Sequence, residues 1–207
     1  MTLVTLHNLK PTYIAAKLLA NSKVYLQEQV CFESGTTYII EATSGKGKSS
    51  LLNIIYGVHK QYEGKLTYNG IDATRIKRDQ ISYVFQDLKL FNELSAWENV
   101  TLKNGITSHK SVQQMEELFK SFGLEPQMHQ SAATLSLGQQ QRVAIIRGLC
   151  MPYKLLLLDE PFSHLDDENV RIIMEIIKKD SAEQQASVLI ASLGNSDLIA
   201  ADHILEL

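Results

Sequence analysis

The chain has 207 residues, 44% of them hydrophobic, which allows one substantial core and excludes an arrangement of several domains. Its formal net charge of -3 creates no long-range attraction to nucleic acid, so nucleic acid is not an expected partner. The two cysteines, Cys31 and Cys150, lack the spacing of a zinc site or a disulfide framework. There is no secretory signal and no run of about 18 apolar residues, so we expect a cytoplasmic protein without a membrane-spanning helix.

Short β-rich runs near the start predict an N-terminal sheet. They are Leu3 to Leu6, Val24 to Leu26, Val30 to Phe32 and Tyr38 to Ile40. The last run is followed by a loop containing Gly45 and Gly47 and then by SSLLNIIYG, whose apolar residues suit a helix buried against a sheet. The expected order around residue 45 is therefore strand, loop, helix.

Between about residues 88 and 150 the pattern becomes helical. Apolar side chains there recur at helical spacing on one face, which indicates packing against a core. They are Val112, Met115, Leu118, Phe119 and Phe122. We expect one domain over residues 1–207, in which a helical subdomain (88–150) is inserted between two stretches of β region and core (1–87 and 151–207).

Strands and helices alternate again from residue 154. KLLLLDEP is followed by a helix around residues 166–179, and then by SVLIASL and DHILEL. Continuous apolar strands of this kind belong to a parallel sheet that is covered on both faces. The sequence thus predicts an α/β fold.

Residues 42–50, ATSGKGKSS, nearly match the phosphate-binding loop GxxxxGK[ST]. In such a loop, backbone N–H groups at a helix N-terminus face phosphate oxygens, and glycines allow their close approach. Lys48 is expected to reach the β- and γ-phosphates of ATP, and the Ser49 hydroxyl is expected to ligate Mg²⁺. The expected nucleotide-binding residues of this loop are Ser44, Gly45, Lys46, Gly47, Lys48, Ser49 and Ser50.

One position of the loop departs from the pattern. Ala42 stands where the pattern has its first glycine, and its methyl group could restrict the backbone or crowd the turn. A surface loop rich in Gly and Lys is the alternative interpretation. The preceding strand and the following helix favour a phosphate site.

The apolar strand LLLL ends in Asp159 and Glu160. In a parallel sheet its carboxyl end lies at the edge that also carries the phosphate loop. Asp159 is expected to hold Mg²⁺ directly or through water, and Glu160 to orient or deprotonate the attacking water. Ordinary solvated acids at a strand end are the alternative, but the phosphate loop earlier in the chain favours a catalytic pair.

Residues 135–142, LSLGQQQR, closely resemble the LSGGQ signature of ATP-binding cassette (ABC) ATPases. The resemblance implies a P-loop NTPase (RecA-like) core with an N-terminal antiparallel β region and an inserted α-helical subdomain. It also implies that Ser136 and Gly138, at a helix N-terminus, contact the γ-phosphate of ATP held by a second subunit. Gln139 of the same motif is included among the nucleotide-binding residues.

Gln86 in SYVFQDLKLF resembles the Q-loop glutamine of this family. The resemblance implies that Gln86 senses Mg²⁺ and the attacking water and links the site to a membrane partner. The expected catalytic residues are then Glu160, Gln86 and Lys48. The expected metal ligands are Ser49, Gln86 and Asp159.

Two further segments resemble family motifs. Residues 163–166, SHLD, are similar to the D-loop, which crosses the dimer interface. Tyr13 occupies roughly the place of the aromatic residue that stacks on adenine, and Tyr25 is the alternative.

The resemblance extends over almost the whole chain and implies an ATP-binding and ATP-hydrolysing subunit of an ABC transporter. Such a subunit works as a head-to-tail homodimer, drives separate transmembrane permease subunits, and lies peripherally on the cytoplasmic face of the membrane. FQDLKLFNELSAWENV is similar to the subgroup that serves lipoprotein release, macrolide export and the cell-division complex. That similarity puts Trp97 and residues 98–100 near the groove for a coupling helix, with plain packing as the alternative for Trp97.

Leu193 marks a departure from the family. The strand after the D-loop helix usually ends in a histidine that contacts the γ-phosphate, and Leu193 stands there in SVLIASLGNSD. Because leucine donates no hydrogen bond, the loss of this stabiliser can slow hydrolysis on the order of 10²-fold. Ser192 or Asn195 could substitute, or the register could differ by one or two residues. An ATP-dependent clamp or regulator with weak hydrolysis is the alternative function.

Overall fold

The computed structural model describes residues 2–75, 78–194 and 198–207. The strands, in chain order, are β1 (Thr2–Pro11), β2 (Val30–Glu33), β3 (Thr37–Glu41), β4 (Tyr62–Tyr68), β5 (Ile71–Asp72), β6 (Ile81–Val84), β7 (Leu155–Asp159), β8 (Ser187–Ser192) and β9 (His203–Glu206). The α-helices are α1 (Ala16–Leu19), α2 (Lys48–Tyr56), α3 (Ala96–Asn104), α4 (Val112–Ser121), α5 (Leu137–Leu149) and α6 (Asp167–Gln184).

The strands form two sheets. An antiparallel sheet has the order β2-β1-β4-β5, and a parallel sheet has the order β6-β7-β8-β3-β9. Because β8 lies between β3 and β7, the loops that follow β3 and β7 leave the same edge of the parallel sheet. This arrangement confirms the predicted α/β fold and brings the phosphate loop and the Asp159–Glu160 pair to one edge. The assignment of Tyr38 to Ile40 to the N-terminal sheet is wrong, because these residues lie in β3, which pairs with β8 and β9 in the parallel sheet.

The parallel sheet is buried on both faces. Successive residues of β7 alternate between two apolar cores, with Leu155 and Leu157 in one and Leu156 and Leu158 in the other. The antiparallel sheet and α2 cover the first face, and α3 to α6 cover the second. All four leucines are buried, and each contributes about 1.5–3 kcal/mol to the stability of the fold. This double coverage explains why β7 is continuously apolar.

Residues 88–150, all of which are described, contain α3, α4 and α5 and no strand, as the helical pattern predicts. In α4, Met115 and Phe119 are buried, whereas Val112 at its start is exposed. These helices share their apolar core with the parallel sheet. The boundaries of a separate helical subdomain therefore stay a prediction.

Helices α3, α4 and α5 each begin with a capping box. The hydroxyls of Ser95, Ser111 and Ser136 accept a hydrogen bond from the N–H three residues later, and the side chain of that later residue accepts one from the serine N–H. Within the described residues, no helix is both long and apolar enough to cross a lipid bilayer.

The strand predicted at Val24 to Leu26 is wrong, because this segment forms a turn. The Ser22 hydroxyl accepts hydrogen bonds from the N–H groups of Val24 (3.0 Å) and Tyr25 (2.8 Å). Leu26 has a φ of 60°, outside the extended region. Val24 and Tyr25 are buried, so the apolar run reflects burial of a turn and not strand pairing.

Candidate functional site

The loop between β3 and α2 has a left-handed backbone at two glycines. Gly45 has a φ of 79° and Gly47 a φ of 93°. A Cβ atom at Gly47 would lie 2.9 Å from Ile14 Cδ1 and 3.2 Å from the Tyr25 ring, so position 47 requires glycine for space as well as for conformation. At Ala42, by contrast, φ is not positive, so the backbone there does not require the glycine of the consensus.

The phosphate loop rests on Tyr25. The Tyr25 hydroxyl donates a hydrogen bond of 2.8 Å to the carbonyl oxygen of Gly47, and the ring is completely buried. Burial raises the pKa of Tyr25, so the hydroxyl keeps the proton that it donates. Its ring is not free to stack on a nucleobase, which removes Tyr25 as the alternative to Tyr13. Sequence reasoning missed this bracing role, because nothing in the sequence joins Tyr25 to Gly47.

The N-terminus of α2 offers an open anion site. Gly47 is its N-cap and supplies no side-chain hydrogen bond, in contrast to the serine caps of α3, α4 and α5. The free N–H groups of the first turn and the positive end of the helix dipole favour a negatively charged ligand. Loop and helix together can therefore cradle phosphate groups, as the sequence predicts.

Lys48, the first residue of α2, lies inside this loop and is 5% exposed. Its Nζ donates to the carbonyl oxygens of Ala42 (2.6 Å) and Thr43 (3.4 Å). The same atom lies 3.5 Å from Glu160 Oε1. Lys48 thus connects the phosphate loop to the acidic end of β7.

Ser49, Gln86 and Glu160 form a chain of contacts across three segments. Ser49 Oγ donates to Gln86 Oε1 over 3.4 Å, and Gln86 Nε2 donates to Glu160 Oε2 over 3.3 Å. The structure therefore brings together the three residues expected to surround the metal ion and the attacking water. Ser44, Lys46 and Ser50 belong to the same loop and its first helical turn, and Lys46 Nζ lies 3.5 Å from the Leu18 carbonyl oxygen.

Asp159 ends β7 and is 3% exposed. Tyr83 Oη donates to Asp159 Oδ2 over 3.3 Å, while Asp159 Oδ1 has no hydrogen-bond partner among the described residues. Burial raises the pKa of Asp159, the nearby Ser49 and Tyr83 hydroxyls lower it, and Glu160 raises it. A buried carboxylate oxygen without a partner is costly, so this atom fits a cation site. The neighbouring Ser49 and Gln86 also present oxygen atoms, the ligands that Mg²⁺ prefers.

Glu160 has a left-handed backbone with a φ of 50°. This conformation costs a non-glycine residue about 1–2 kcal/mol, so the surrounding structure must hold it. The Glu160 N–H donates to the Ala191 carbonyl oxygen of β8 over 3.0 Å. The carboxylate is thereby held between Lys48 and Gln86, which is an appropriate place for a group that acts on a water molecule.

Ser136, Gly138 and Gln139 form the first turn of α5 with its N-cap. Ser136 Oγ accepts from the Gln139 N–H (3.3 Å), and Gln139 Oε1 accepts from the Ser136 N–H (2.9 Å). A Cβ at Gly138 would lie 2.7 Å from the His164 carbonyl oxygen. Gln141 reinforces this junction, because its side chain bonds both Ser163 Oγ (2.7 Å) and the His164 N–H (3.2 Å). The first turn of α5 and residues 163–166 are therefore packed as one unit.

Comparison with known proteins decides the family. Residues 27–163 match the ABC transporter family. The chain belongs to this family. The tungstate uptake system ATP-binding protein TupC of Peptoclostridium acidaminophilum is 37% identical to the ABC chain over 190 residues, which cover 90% of the chain and 85% of TupC. The putative hemin import ATP-binding protein HrtA of Staphylococcus epidermidis is 31% identical over 198 residues, which cover 90% of the chain and 89% of HrtA.

Solved structures agree with this assignment. The dimeric bacterial ABC transporter cassette MJ0796 has a TM-score of 0.81 and 27% identity to this chain, covering 99% of it and 94% of the cassette. The same cassette bound to ADP and phosphate, in a post-hydrolysis state, has a TM-score of 0.79 and 29% identity at the same coverage. The present chain is thus an ATP-binding subunit of an ABC transporter and an ATPase.

The ABC chain has an unusual residue in its signature. Leu137 stands at one of the two glycine positions of LSGGQ and is 56% exposed. Sequence reasoning overlooked this departure, although the motif itself carries the signal. The face that the signature presents is consequently more apolar than the consensus face.

Leu193 directly follows β8 and is 57% exposed, so it occupies the strand end expected for the family histidine. The Ser192 hydroxyl is engaged with its own loop, donating to the Gly194 carbonyl oxygen over 2.5 Å. Asn195, the other suggested substitute, lies outside the described residues. The Ser192 hydroxyl is therefore not a free donor beside Leu193.

Tyr13 is 47% exposed, and its hydroxyl lies 2.9 Å from His59 Nδ1. The two rings meet edge to face, with centroids 5.7 Å apart. The ring is about half exposed, so a nucleobase can reach it. Trp97, in contrast, packs on Phe119 with centroids 5.9 Å apart, which supports the packing interpretation of that residue.

Proposed function

We propose that this ABC subunit hydrolyses MgATP at two composite sites of a head-to-tail homodimer and thereby drives separate transmembrane permease subunits. In each site, the phosphate loop of one subunit faces the signature turn of the other. ATP closes the dimer, and hydrolysis lets it open. Residues 88–150 act as the helical subdomain that carries the signature.

Within one subunit, each residue has a separate task. The first-turn N–H groups of α2 and Lys48 bind the phosphates, and Tyr13 stacks on adenine. Ser49, Gln86 and Asp159 hold Mg²⁺, which when bound neutralises charge on the phosphate oxygens. The buried, unpartnered Oδ1 of Asp159 and the oxygen atoms beside it support this assignment.

Glu160 acts as the general base of the reaction. Its carboxylate orients a water molecule and accepts a proton as the water oxygen bonds to the γ-phosphorus. The bond between that phosphorus and the bridging oxygen of ADP breaks, which yields ADP and phosphate. Lys48 balances negative charge on the phosphate oxygens during this step. The contacts of Lys48 and Gln86 with Glu160 already join these groups in one cluster.

The observation that carries the dimer proposal is that no hydrogen bond joins the signature side chains to the phosphate loop among the described residues. The side chains of Ser136 and Gln139 hydrogen-bond only to their own helix turn among the described residues, and none of these bonds reaches the phosphate loop. An N-terminal helix turn attracts anions, so the signature can serve an ATP molecule that a second subunit holds. The dimeric state of the related cassette MJ0796 is consistent with this arrangement.

Mixing two inactive variants tests the composite site. Lys48→Ala damages the phosphate loop and Ser136→Ala the signature, so each variant alone should hydrolyse ATP very slowly. In a mixed dimer, the intact loop of one subunit meets the intact signature of the other. An equimolar mixture should therefore recover about a quarter of the wild-type rate, since half of randomly paired dimers are mixed. No recovery, with both variants folded and able to associate, would contradict the composite site.

The permease is proposed to dock on a groove beside β6 and α3, which fits a peripheral position on the cytoplasmic face of a membrane. Apolar side chains and three basic ones line this groove of about 330 Å³, and the apolar Phe91, Leu102 and Ile106 are exposed. Exposed apolar clusters of this kind favour protein partners.

TupC and HrtA are named for tungstate and hemin, so similar ATP-binding chains serve different cargoes. Cargo choice is therefore assigned to the permease.

A further inference from the structure

The loop that carries Gln86 contains two consecutive strained residues. Leu88 has a φ of 59° and Lys89 a φ of 50°, and neither is a glycine. L-amino acids disfavour this left-handed conformation because Cβ approaches the following carbonyl oxygen. A pair of such residues persists only where neighbouring groups hold them.

The strained pair closes the turn on which Gln86 sits. The Leu88 N–H donates to the Phe85 carbonyl oxygen over 2.9 Å, which makes residues 85–88 a β-turn with Gln86 at its first central position. The direction of the Gln86 side chain toward Ser49 and Glu160 depends on this turn. A change at Leu88 or Lys89 that breaks the Leu88–Phe85 hydrogen bond would therefore release the turn that carries Gln86.

Arg147 from α5 holds both strained residues. Its Nη2 donates to the Leu88 carbonyl oxygen over 2.5 Å, and its Nη1 donates to the Lys89 carbonyl oxygen over 2.7 Å. The planar guanidinium thus bridges two successive carbonyls with two nitrogen atoms in one fixed plane, whereas a lysine ammonium would have to serve both carbonyls from a single nitrogen atom without that fixed geometry. Burial lowers the pKa of Arg147, and a guanidinium still stays charged at neutral pH.

We propose that Arg147 is a positioning residue for ATP hydrolysis, which fixes the exit of the Gln86 turn and so aims the Gln86 amide at Ser49 and Glu160. This inference rests on the proposed function, because it needs Gln86 at the metal ion and the attacking water. Arg147 lies eleven residues after Ser136, which is a rise of about 16 Å along α5. A shift of α5 when the signature engages its ligand would thus reach the Gln86 turn.

Arg147→Lys should lower kcat by about tenfold to a hundredfold, because a small misplacement of a catalytic group has an effect of this size. The dissociation constant for ATP should stay within about twofold of wild type, because the phosphate loop makes no use of Arg147. Steady-state kinetics and nucleotide titration of the purified chain measure the two quantities. A loss of ATP affinity equal to the loss of kcat would overturn the proposal.

Asn104→Ala is the matched control for loss of stability. Asn104 also bridges two backbone groups of a following loop, donating to the Lys110 carbonyl oxygen (2.8 Å) and accepting from the Lys110 N–H (2.9 Å). It lies on α3, and its bonds do not involve the Gln86 turn. Asn104→Ala should lower Tm and leave kcat within about twofold. If Arg147→Lys lowers Tm and keeps wild-type kcat, Arg147 is only structural.

Position 89 provides a test that does not alter the buried arginine. Lys89 is exposed, and its Nζ lies 2.5 Å from Asp87 Oδ2. Both Lys89→Val and Lys89→Asn remove this ion pair, but only the β-branched valine opposes a positive φ. Lys89→Val should lower kcat without weakening ATP binding, whereas Lys89→Asn should leave both unchanged. Equal kcat in the two variants would overturn the proposal even if Arg147→Lys does not fold.

Two further variants in the same assay separate this inference from the proposed function. Lys89→Asn combined with Arg147→Lys should recover part of the lost kcat, because asparagine tolerates the left-handed conformation. Gln86→Ala should slow hydrolysis whether or not Arg147 positions it. If Gln86→Ala has no effect, the proposed role of Gln86 fails. If Gln86→Ala is slow while Arg147→Lys is normal, only the role of Arg147 fails.

Discussion

The phosphate-loop side and the signature side of the site are built in different ways. On the first side, Lys48, Ser49, Gln86 and Glu160 come from three segments and already contact one another. On the second, the side chains are those of a single helix turn, and Ser136 bonds within that turn. The first side is assembled within one chain, whereas the second is a self-capped helix turn, which under the proposed function meets ATP held by a second subunit.

The difference has an energetic meaning. The open N-terminus of α2 has unsatisfied N–H groups that gain hydrogen bonds when phosphate binds. At α5 the Ser136 cap already contributes about 1 kcal/mol to the helix, so a ligand there gains less on binding. ATP should therefore bind first to the phosphate loop, with the signature acting later, in dimer closure and hydrolysis.

The largest expected effect on ATP hydrolysis comes from Glu160, on the phosphate-loop side of the site. Glu160→Gln should slow hydrolysis by about 10²–10⁴-fold, because the amide cannot accept the proton of the attacking water. ATP binding should persist, since the phosphate loop is unchanged, and the ATP-bound dimer should accumulate in size-exclusion chromatography. Glu117→Gln on the surface of α4 is the control and should behave as wild type. A Glu160→Gln variant that turns over normally would show that this side is not the catalytic one.

The next effect concerns the signature side. Ser136→Ala and Ser111→Ala each remove the serine of a capping box, so each should lower stability by about 1 kcal/mol in thermal unfolding. Only Ser136→Ala should also slow ATP hydrolysis, by about a hundredfold, because only Ser136 meets the partner's ATP. Equal rates of ATP hydrolysis in the two variants would show that Ser136 only caps its helix and does not act on ATP.

Leu193 gives a smaller effect with the opposite sign. Leu193→His should raise kcat about tenfold or more, because the imidazole adds a hydrogen-bond donor for transition-state charge. Leu193→Phe is the control, since it supplies a flat ring without a donor. Steady-state hydrolysis with Mg²⁺ compares the three proteins. A histidine variant no faster than the parent would mean that this position does not limit the rate.

Tyr13 gives the smallest effect. Tyr13→Ala should weaken ATP binding by about fivefold, equivalent to roughly 1 kcal/mol of lost stacking, whereas Tyr13→Phe should keep most of the affinity. The kcat at saturating ATP should not change, because the ring lies away from the reacting phosphate. Titration with a fluorescent ATP analogue measures the affinities, and an unchanged value for Tyr13→Ala would require another partner for adenine.

The contiguous motifs could be predicted from the sequence. The phosphate loop, the Asp159–Glu160 pair and the signature are short runs whose residue types follow from local chemistry. The strand and helix around the phosphate loop were predicted, although the strand was assigned to the N-terminal sheet and lies in the parallel sheet. The α/β fold followed from the continuously apolar β7 and β8. Adjacent residues determine each of these features.

The remaining features depend on contacts between distant residues. The bond between Tyr25 and Gly47 joins residues 22 positions apart, and that between Arg147 and Leu88 joins residues 59 apart. No periodicity or motif encodes such pairs. The turn at residues 24–26 was mistaken for a strand because an apolar run reports burial but not backbone direction.

The support that Tyr25 gives to the phosphate loop bears on engineering of this protein. The stretch between β1 and β2 contains a long connection without a strand, and exposed connections of this kind are usual places for inserted tags or sensor domains. Here an insertion would move the Tyr25 hydroxyl away from the Gly47 carbonyl oxygen and so disturb the phosphate loop. The turn between β4 and β5 is a safer position, because Asn69 and Gly70 are exposed and a Cβ at Gly70 would meet no atom within 4 Å.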